Sequence, residues 1–143
     1  FNAWAVTFFI IIVNSFAKFD FDSSANSLGT YSLDKDAFLE VGYDDSYVVM
    51  IRYIDEIIPE SKEILLTLIN EKKEILKTTA EFLPNEDGEN IYACFTFDNN
   101  VLEFFKRTNN LTIFISDGKG KEKNYLFPIK GFETELKSIV VSE

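Results

Sequence analysis

Residues 110–130 read NLTIFISDGKGKEKNYLFPIK, and this stretch decides the predicted fold. Apolar and polar residues alternate on both sides of a turn that begins at Asp117 and Gly118. Such alternation is typical of half-buried β-strands, because successive side chains point to opposite faces. The stretch therefore predicts two strands joined by a turn, with one alternating apolar set made up of Leu111, Ile113, Ile115, Tyr125, Phe127 and Ile129. Pro128 has no N–H to donate, which indicates an edge position for the second strand.

A short helix is predicted on each side of this pair, near residues 99–107 and near residues 131–140. Asp98 or Asn99 can cap the first helix, and Gly131 begins the second. The apolar residues recur at helical spacing in both. They are Val101, Leu102 and Phe105 in the first helix, and Phe132, Leu136 and Ile139 in the second.

Three further strands are predicted upstream, at residues 38–43, 47–55 and 91–97, from their content of Val, Ile, Tyr and Phe. Residues 47–55 are apolar at both parities, which predicts a central strand covered on both sides. The strand at residues 91–97 carries Cys94, the single cysteine of the chain. Cys94 is interpreted as a small buried hydrophobe, with a reactive or intermolecular thiol as the alternative.

Residues 59–84 are ambiguous from their pattern. Their apolar residues recur at helical spacing with charges between them, and periodicity alone predicts a helix. The alternative is a hairpin that turns at residues 70–73. In that hairpin the second strand places Leu76, Thr78, Ala80 and Phe82 inward, and Ile75, Lys77, Thr79 and Glu81 outward.

The first 17 residues are uncharged and contain a long apolar run. The run, followed by small Ser15 and Ala17, is typical of a secretory signal peptide. A buried strand is the alternative, and an uncleaved anchor is disfavoured because the run is shorter than the roughly 20 residues of a spanning helix. The predicted organisation is a signal peptide at 1–17, an extended N-terminal arm at 18–36 and a β-sandwich domain at 37–143.

Composition restricts the chemistry of the chain. Its formal net charge is −10, from 14 basic and 24 acidic residues, which disfavours nucleic acid and anionic membranes as partners. Histidine is absent, so the usual general base and the commonest transition-metal ligand are missing. No catalytic residue, metal site or cofactor is predicted, and no stable membrane insertion is expected after processing.

Residues 93–139, ACFTFDNNVLEFFKRTNNLTIFISDGKGKEKNYLFPIKGFETELKSI, resemble the C-terminal half of the invasion-associated locus B family of exported bacterial proteins. Cys94 matches the family cysteine, and the helical motifs match at Val101, Leu102, Phe105, Gly131, Phe132 and Leu136. The resemblance implies a mainly β fold, a small antiparallel β-sandwich with two short helices, without known enzymatic activity. It also implies that residues 64–70 and 74–82 form the hairpin rather than a helix.

The sequence departs from the family pattern at three points. Members commonly have a second cysteine before the matching one, whereas nothing pairs with Cys94 here. Ala93 replaces a glycine, and Glu135 stands where the family motif has an alanine.

The expected function is that of an exported, non-enzymatic β-domain in the periplasm or outside the cell, which binds a protein or cell-surface partner. The resemblance adds host-cell adhesion or invasion as the context. One alternative is a periplasmic accessory or chaperone-like component of a secretion system. A carboxylate-dependent hydrolase is the other, and it would need two facing carboxyl groups roughly 5–10 Å apart.

Overall fold

The structure of the protein is a computed structural model that describes residues 20–22, 26–53, 62–84, 91–96 and 99–140. Within these ranges the chain forms nine β-strands and two short helices. The helices are α1 (Asn99–Lys106) and α2 (Phe132–Leu136). The strands are β1 (Asp20–Asp22), β2 (Ser27–Tyr31), β3 (Ala37–Asp44), β4 (Ser46–Tyr53), β5 (Glu63–Asn70), β6 (Ile75–Pro84), β7 (Ile91–Thr96), β8 (Asn110–Ser116) and β9 (Glu122–Pro128).

Each neighbouring pair of strands is antiparallel, in the order β1-β2-β3-β4-β7-β6-β5-β8-β9. β7 pairs with β4 on one side and with β6 on the other, so it joins a half made of β1–β4 to a half made of β5, β6, β8 and β9. The sheet folds over, because the Tyr53 ring on β4 lies 6.0 Å from the Tyr125 ring on β9. The predicted fold class is confirmed as a mainly β, antiparallel, sandwich-like chain with two short helices.

The two ends of the sheet also meet. The Leu33 N–H, just after β2, donates to the Leu126 carbonyl on β9 at 3.0 Å. Lys123 and Asp36 form an ion pair beside this contact, at 3.8 Å. β9 is the last strand of the order, as Pro128 predicted, and the loop after β2 covers part of its edge.

One hydrophobic core fills the space between the two halves. The predicted alternation in β8 and β9 is confirmed, since all six residues of that set are buried. β4 is an interior strand as predicted, but it is not covered on both sides. Val49, Ile51 and Tyr53 are buried on the inner face, whereas Val48 and Met50 on the outer face are only half-buried.

α1 and α2 close one end of this core. α1 buries Val101, Phe104 and Phe105, and the Phe105 ring meets the Phe132 ring of α2 edge to face at 5.4 Å. α2 is shorter than predicted, and Ile139 is buried just after it. Neither helix in the described ranges has the length and apolar character needed to cross a membrane.

The ambiguous residues 59–84 contain the β5–β6 hairpin. The helix that periodicity predicts is wrong, and the hairpin that the resemblance implies is confirmed. In β6, Ala80 is buried, Leu76, Thr78 and Phe82 are half-buried, and the opposite set is exposed, as the hairpin alternative requires. The helical spacing arises because the outward positions are themselves partly apolar, among them Leu65 and Ile75.

Part of the predicted arm at residues 18–36 belongs to the sheet. Ser27–Tyr31 forms β2 inside the sheet, with Leu28 fully buried. The polar residues Ser27 and Thr30 of this strand are buried as well. The sheet therefore begins before residue 37, and residues 1–17, the predicted signal peptide, lie outside the described residues.

The turn between β5 and β6 is tied to the end of α1 by two glutamates. Glu71 accepts from the backbone N–H groups of Asn109, at 2.7 Å, and Asn110, at 3.2 Å. Burial raises the pKa of the Glu71 carboxyl, but the backbone N–H groups of Asn109, Glu71 and Asn110, together with the charge of Lys72, outweigh it and hold the pKa below its ordinary value of 4.5. The Asn70 side chain and then Arg107 lower the pKa of Glu74 in the same way.

We expect Glu71→Gln to destabilise the fold at neutral pH by about 0.5–1 kcal/mol, since water screens this exposed carboxylate. A lowered pKa in the folded state means that the contribution is complete above the unfolded value of about 4.5 and is lost as the pH falls through the folded value. Urea unfolding of both proteins from pH 7 downward measures this, with Glu103→Gln as an exposed control. A difference that grows toward acid pH would contradict the role of Glu71.

Candidate functional site

The outer face of β2, β3 and β4 carries three side chains in one row across the sheet. The register pairs Tyr31 with Phe38 and Phe38 with Arg52. Directly paired residues of antiparallel strands share a face, so the three side chains are neighbours. Tyr31, Phe38 and Arg52 are called the aromatic–arginine cluster.

An aromatic contact and a cation–π contact hold the cluster together. The Tyr31 and Phe38 rings meet edge to face, with their centroids 4.8 Å apart. The Arg52 guanidinium lies over the Phe38 ring, with Cζ 5.2 Å from the ring centroid, which is the geometry of a cation–π contact. Tyr31 is 49% exposed, while Phe38 and Arg52 are half-buried. The cluster therefore presents an aromatic surface and a fixed cation to solvent.

Gly29 makes room for this arrangement. It lies on the same face as the cluster, in β2, and the end of the Phe38 ring occupies the space where a Cβ would stand. Gly42, on the same face in β3, is different, because a Cβ there would lie 3.6 Å from the Ser27 Cβ, an ordinary contact. Gly29 thus fixes where Phe38 lies, and Gly42 offers a matched position without that role.

A small pocket adjoins the cluster. Its walls are Phe38, Glu40, Met50 and Arg52, and it encloses about 60 Å³. The Ser27 hydroxyl donates to Glu40 Oε2 at 3.2 Å. One side of the pocket is thus cationic, one is anionic, and the Phe38 and Met50 side chains between them are apolar.

Arg52 stands out among the charged residues. The other arginine, Arg107, donates through Nε to Glu74 Oε2 at 2.9 Å. Arg52 makes no ion pair within the described ranges, and its contact there is the Phe38 ring. A guanidinium has five N–H donors in a planar fork that matches a carboxylate. Its edge can bind an anionic group while its face stays on Phe38.

The residues matched by the family resemblance lie elsewhere. Val101, Phe105 and Phe132 are buried in the helical end of the core, Leu102 and Leu136 are half-buried, and Gly131 precedes α2 with a left-handed φ of 87°. The register of β7 pairs Cys94 with Met50 and Glu81. The helical residues of this set support the closed end of the core, and the burial of the Cys94 thiol stays a prediction.

The pocket does not support the hydrolase alternative. It contains a single carboxylate, that of Glu40, whereas hydrolysis by paired carboxylates needs two that face each other. Within the part of the chain that the structure describes, no three His, Cys, Asp or Glu side chains converge in a way that could hold a metal ion.

Sequence reasoning missed the aromatic–arginine cluster. Phe38 and residues 47–55 were assigned to strands, but a single sequence does not give the register that places Tyr31 and Arg52 on either side of Phe38. One usable signal was the apolar outer parity of the fourth strand, at Val48 and Met50. Such a pattern indicates either a covered strand or a contact surface.

Comparison of the chain with known proteins yields no relative. No family model, no curated protein and no solved structure matches it. The functional inference therefore rests on the chain's own residues and geometry.

Proposed function

We propose that the protein is an exported, non-catalytic β-domain that binds a protein partner through the aromatic–arginine cluster. The observation that carries the proposal is the Arg52 guanidinium, stacked on Phe38 beside a half-exposed Tyr31 and without an ion pair in the described ranges. Tyrosine and arginine are among the residues that contribute most to protein–protein interfaces.

The cluster is organised before any partner arrives. Its three side chains project from neighbouring β-strands and hold one another through ring contacts. A side chain that is already ordered loses less rotamer entropy on binding, which leaves more of the contact energy for affinity.

The dimensions of the pocket favour a partner side chain over a whole small molecule. About 60 Å³ is far below the roughly 300–1,000 Å³ of pockets that enclose drug-sized ligands. A carboxylate of the partner would bind the edge of Arg52, while its aliphatic carbons contact Met50 and Phe38. Glu40, on the other side of the pocket, would accept a hydrogen bond from an N–H group of the partner.

Export is part of the proposal and is supported from the sequence. The apolar run within residues 1–17 has the character of a signal peptide. The compartment of the partner would then be the cell envelope or the exterior.

The test is capture of partners from envelope and secreted proteins of the source organism by the immobilised full chain. Arg52→Ala and Gly29→Ala should each reduce retention of the specific partner at least tenfold, the first by removing the cation and the second by displacing the Phe38 ring. Gly42→Ala and Lys137→Ala are the matched controls and should retain it as the wild type does. If no retained protein depends on Arg52 and Gly29, the proposal is wrong.

A further inference from the structure

We propose that two copies of this chain associate through the outer face of β6, β5, β8 and β9. This surface is separate from the aromatic–arginine cluster, which lies on the other half of the sheet. Its interior positions are uncharged except for Lys77, and it is called the neutral face. The uncharged members are Leu65, Thr67, Ile69, Ile75, Thr79, Thr112, Phe114, Ser116, Asn124 and Leu126.

The neutral face exposes large apolar side chains. Leu65 is 49% exposed and Ile75 is 61% exposed, and Leu33, whose backbone bonds to Leu126 at the β9 edge of the face, is 57% exposed. Ile69, Phe114 and Leu126 are half-buried between these residues. Contiguous apolar surface of this kind marks interaction sites on soluble proteins.

Charge favours a second copy as the occupant. A chain with a net charge of −10 repels itself, unless the surfaces that meet carry little of that charge. The acidic residues of this face, Glu63, Glu81 and Glu122, all lie in the rows nearest one end of the strands. Two copies can therefore bring their neutral faces together while most of their charge stays in water.

The positions of Lys77 and Glu122 select one arrangement. Lys77 is on β6, Glu122 is on β9, and neither makes an ion pair within the described ranges. With a two-fold axis parallel to the strands, between β5 and β8, β6 of each copy faces β9 of the other. Lys77 then faces Asn124 of the second copy. Glu122 of that copy lies two residues, or about 7 Å, further along the same strand.

A lysine side chain can span that separation, so Lys77 of one copy can pair with Glu122 of the other. The two-fold symmetry forms this pair twice. A two-fold axis perpendicular to the strands, passing through the same row, would instead bring the two copies of Lys77 together. Like charges in an interface are unfavourable. The axis parallel to the strands is therefore the arrangement that the charges support.

The area sets the expected strength. Four strands about 4.8 Å apart and seven residues of about 3.4 Å span roughly 19 by 24 Å. Two such faces bury about 900–1,000 Å², which is below the roughly 1,200–2,000 Å² of stable specific interfaces and in the range of weak, transient ones. We therefore expect a reversible dimer with a dissociation constant in the micromolar range. Such a dimer leaves both aromatic–arginine clusters exposed, so it would present two partner sites at once.

Sedimentation equilibrium of the full chain from 1 to 500 µM, at 0.15 M salt, tests the proposal. A monomer–dimer equilibrium is expected, and Leu65→Glu should raise the dissociation constant at least 30-fold. Val140→Glu places the same charge at an exposed apolar position outside the face and should leave the dissociation constant unchanged. Circular dichroism of each variant verifies that the fold is retained.

The charge pair provides a second, independent test. Lys77→Glu and Glu122→Lys should each weaken the dimer about fivefold, because each places like charges together at two points. The double variant should restore the constant to within about twofold of the wild type. A chain that stays monomeric at 500 µM would refute the dimer. A dimer that Leu65→Glu leaves intact, or that the double variant fails to restore, would refute this face or this axis. If the partner-capture experiment fails, the evidence for the dimer still stands, because the neutral face and the aromatic–arginine cluster are different surfaces.

Discussion

Phe105→Ala is expected to lower the free energy of unfolding by about 3–5 kcal/mol, the largest effect of any single substitution considered. Phe105 is fully buried on α1, and its ring packs edge to face on Phe132 of α2. Removing the ring loses its burial and leaves a cavity between the two helices, which close one end of the core. A domain of this size is stable by roughly 5–15 kcal/mol, so much of its stability would be lost.

Urea unfolding followed by circular dichroism measures this effect. Glu103→Ala, an exposed position on the same helix, is the matched control and should stay within about 0.5 kcal/mol of the wild type. If Phe105→Ala proves too unstable to purify, Phe105→Leu should still show a smaller loss in the same direction. A loss below 1 kcal/mol for Phe105→Ala would mean that α1 does not close the core.

Asn70→Ala is expected to have the second largest effect, about 2–3 kcal/mol. The Asn70 side chain is buried at the end of β5 and connects two parts of the chain. Its Oδ1 accepts from the N–H groups of Lys72 and Glu74, each at 3.0 Å. Its Nδ2 donates to Glu74 Oε1 at 3.1 Å and to the Thr108 hydroxyl at 3.4 Å. Alanine removes all four bonds and takes the side-chain acceptor away from the N–H groups of Lys72 and Glu74. The turn also contains Lys73 at a left-handed φ of 66°.

Two variants separate the roles of the amide. Asn70→Asp keeps an acceptor for the two N–H groups, but it places a carboxylate beside Glu74 and loses the donor. Asn70→Asp should therefore lower the free energy of unfolding at pH 7, and lower it less in acid, where the carboxylates are protonated. Asn100→Ala, an exposed asparagine on α1, should stay within about 0.5 kcal/mol of the wild type. Chemical denaturation at both pH values checks the series, and an unchanged stability for Asn70→Ala would show that the turn does not depend on this side chain.

The half-buried strands and the short helices could be predicted because their patterns are simple. In β8 and β9 one parity is consistently apolar, so alternation identified the buried set. In α1 the stripe of Val101, Leu102 and Phe105 was correct in placing the helix, although the buried Phe104 was missed. The apolar face of α1 is wide enough to bury two adjacent residues. In the sequence Phe104 and Phe105 look like a local apolar run, so Phe104 was not assigned to the buried face.

The hairpin of β5 and β6 could not be predicted from periodicity, for a physical reason. Leu65, Ile69 and Ile75 are apolar although they point outward, so the inward and outward sets together imitate helical spacing. The same residues form the neutral face. The failed prediction and the proposed dimer contact therefore have one origin, which is an apolar outer surface on this half of the sheet.

The candidate site was beyond single-sequence reasoning because it depends on strand register. Tyr31, Phe38 and Arg52 come from three strands and meet only because the turn between β2 and β3, and that between β3 and β4, align them in one row. The burial of β2 was missed for a related reason. Its small polar residues are satisfied within the fold, as when Ser27 donates to Glu40, and composition does not show this.

The most direct test of the binding function is photo-crosslinking in cells that produce the full chain. A photo-reactive phenylalanine analogue is placed at position 31, in the aromatic–arginine cluster, or at position 133, an exposed site on α2. We predict one defined adduct with another protein at position 31, its loss when Arg52→Ala is added, and none of this adduct at position 133. An adduct that forms equally at both positions, or that persists without Arg52, would contradict the account.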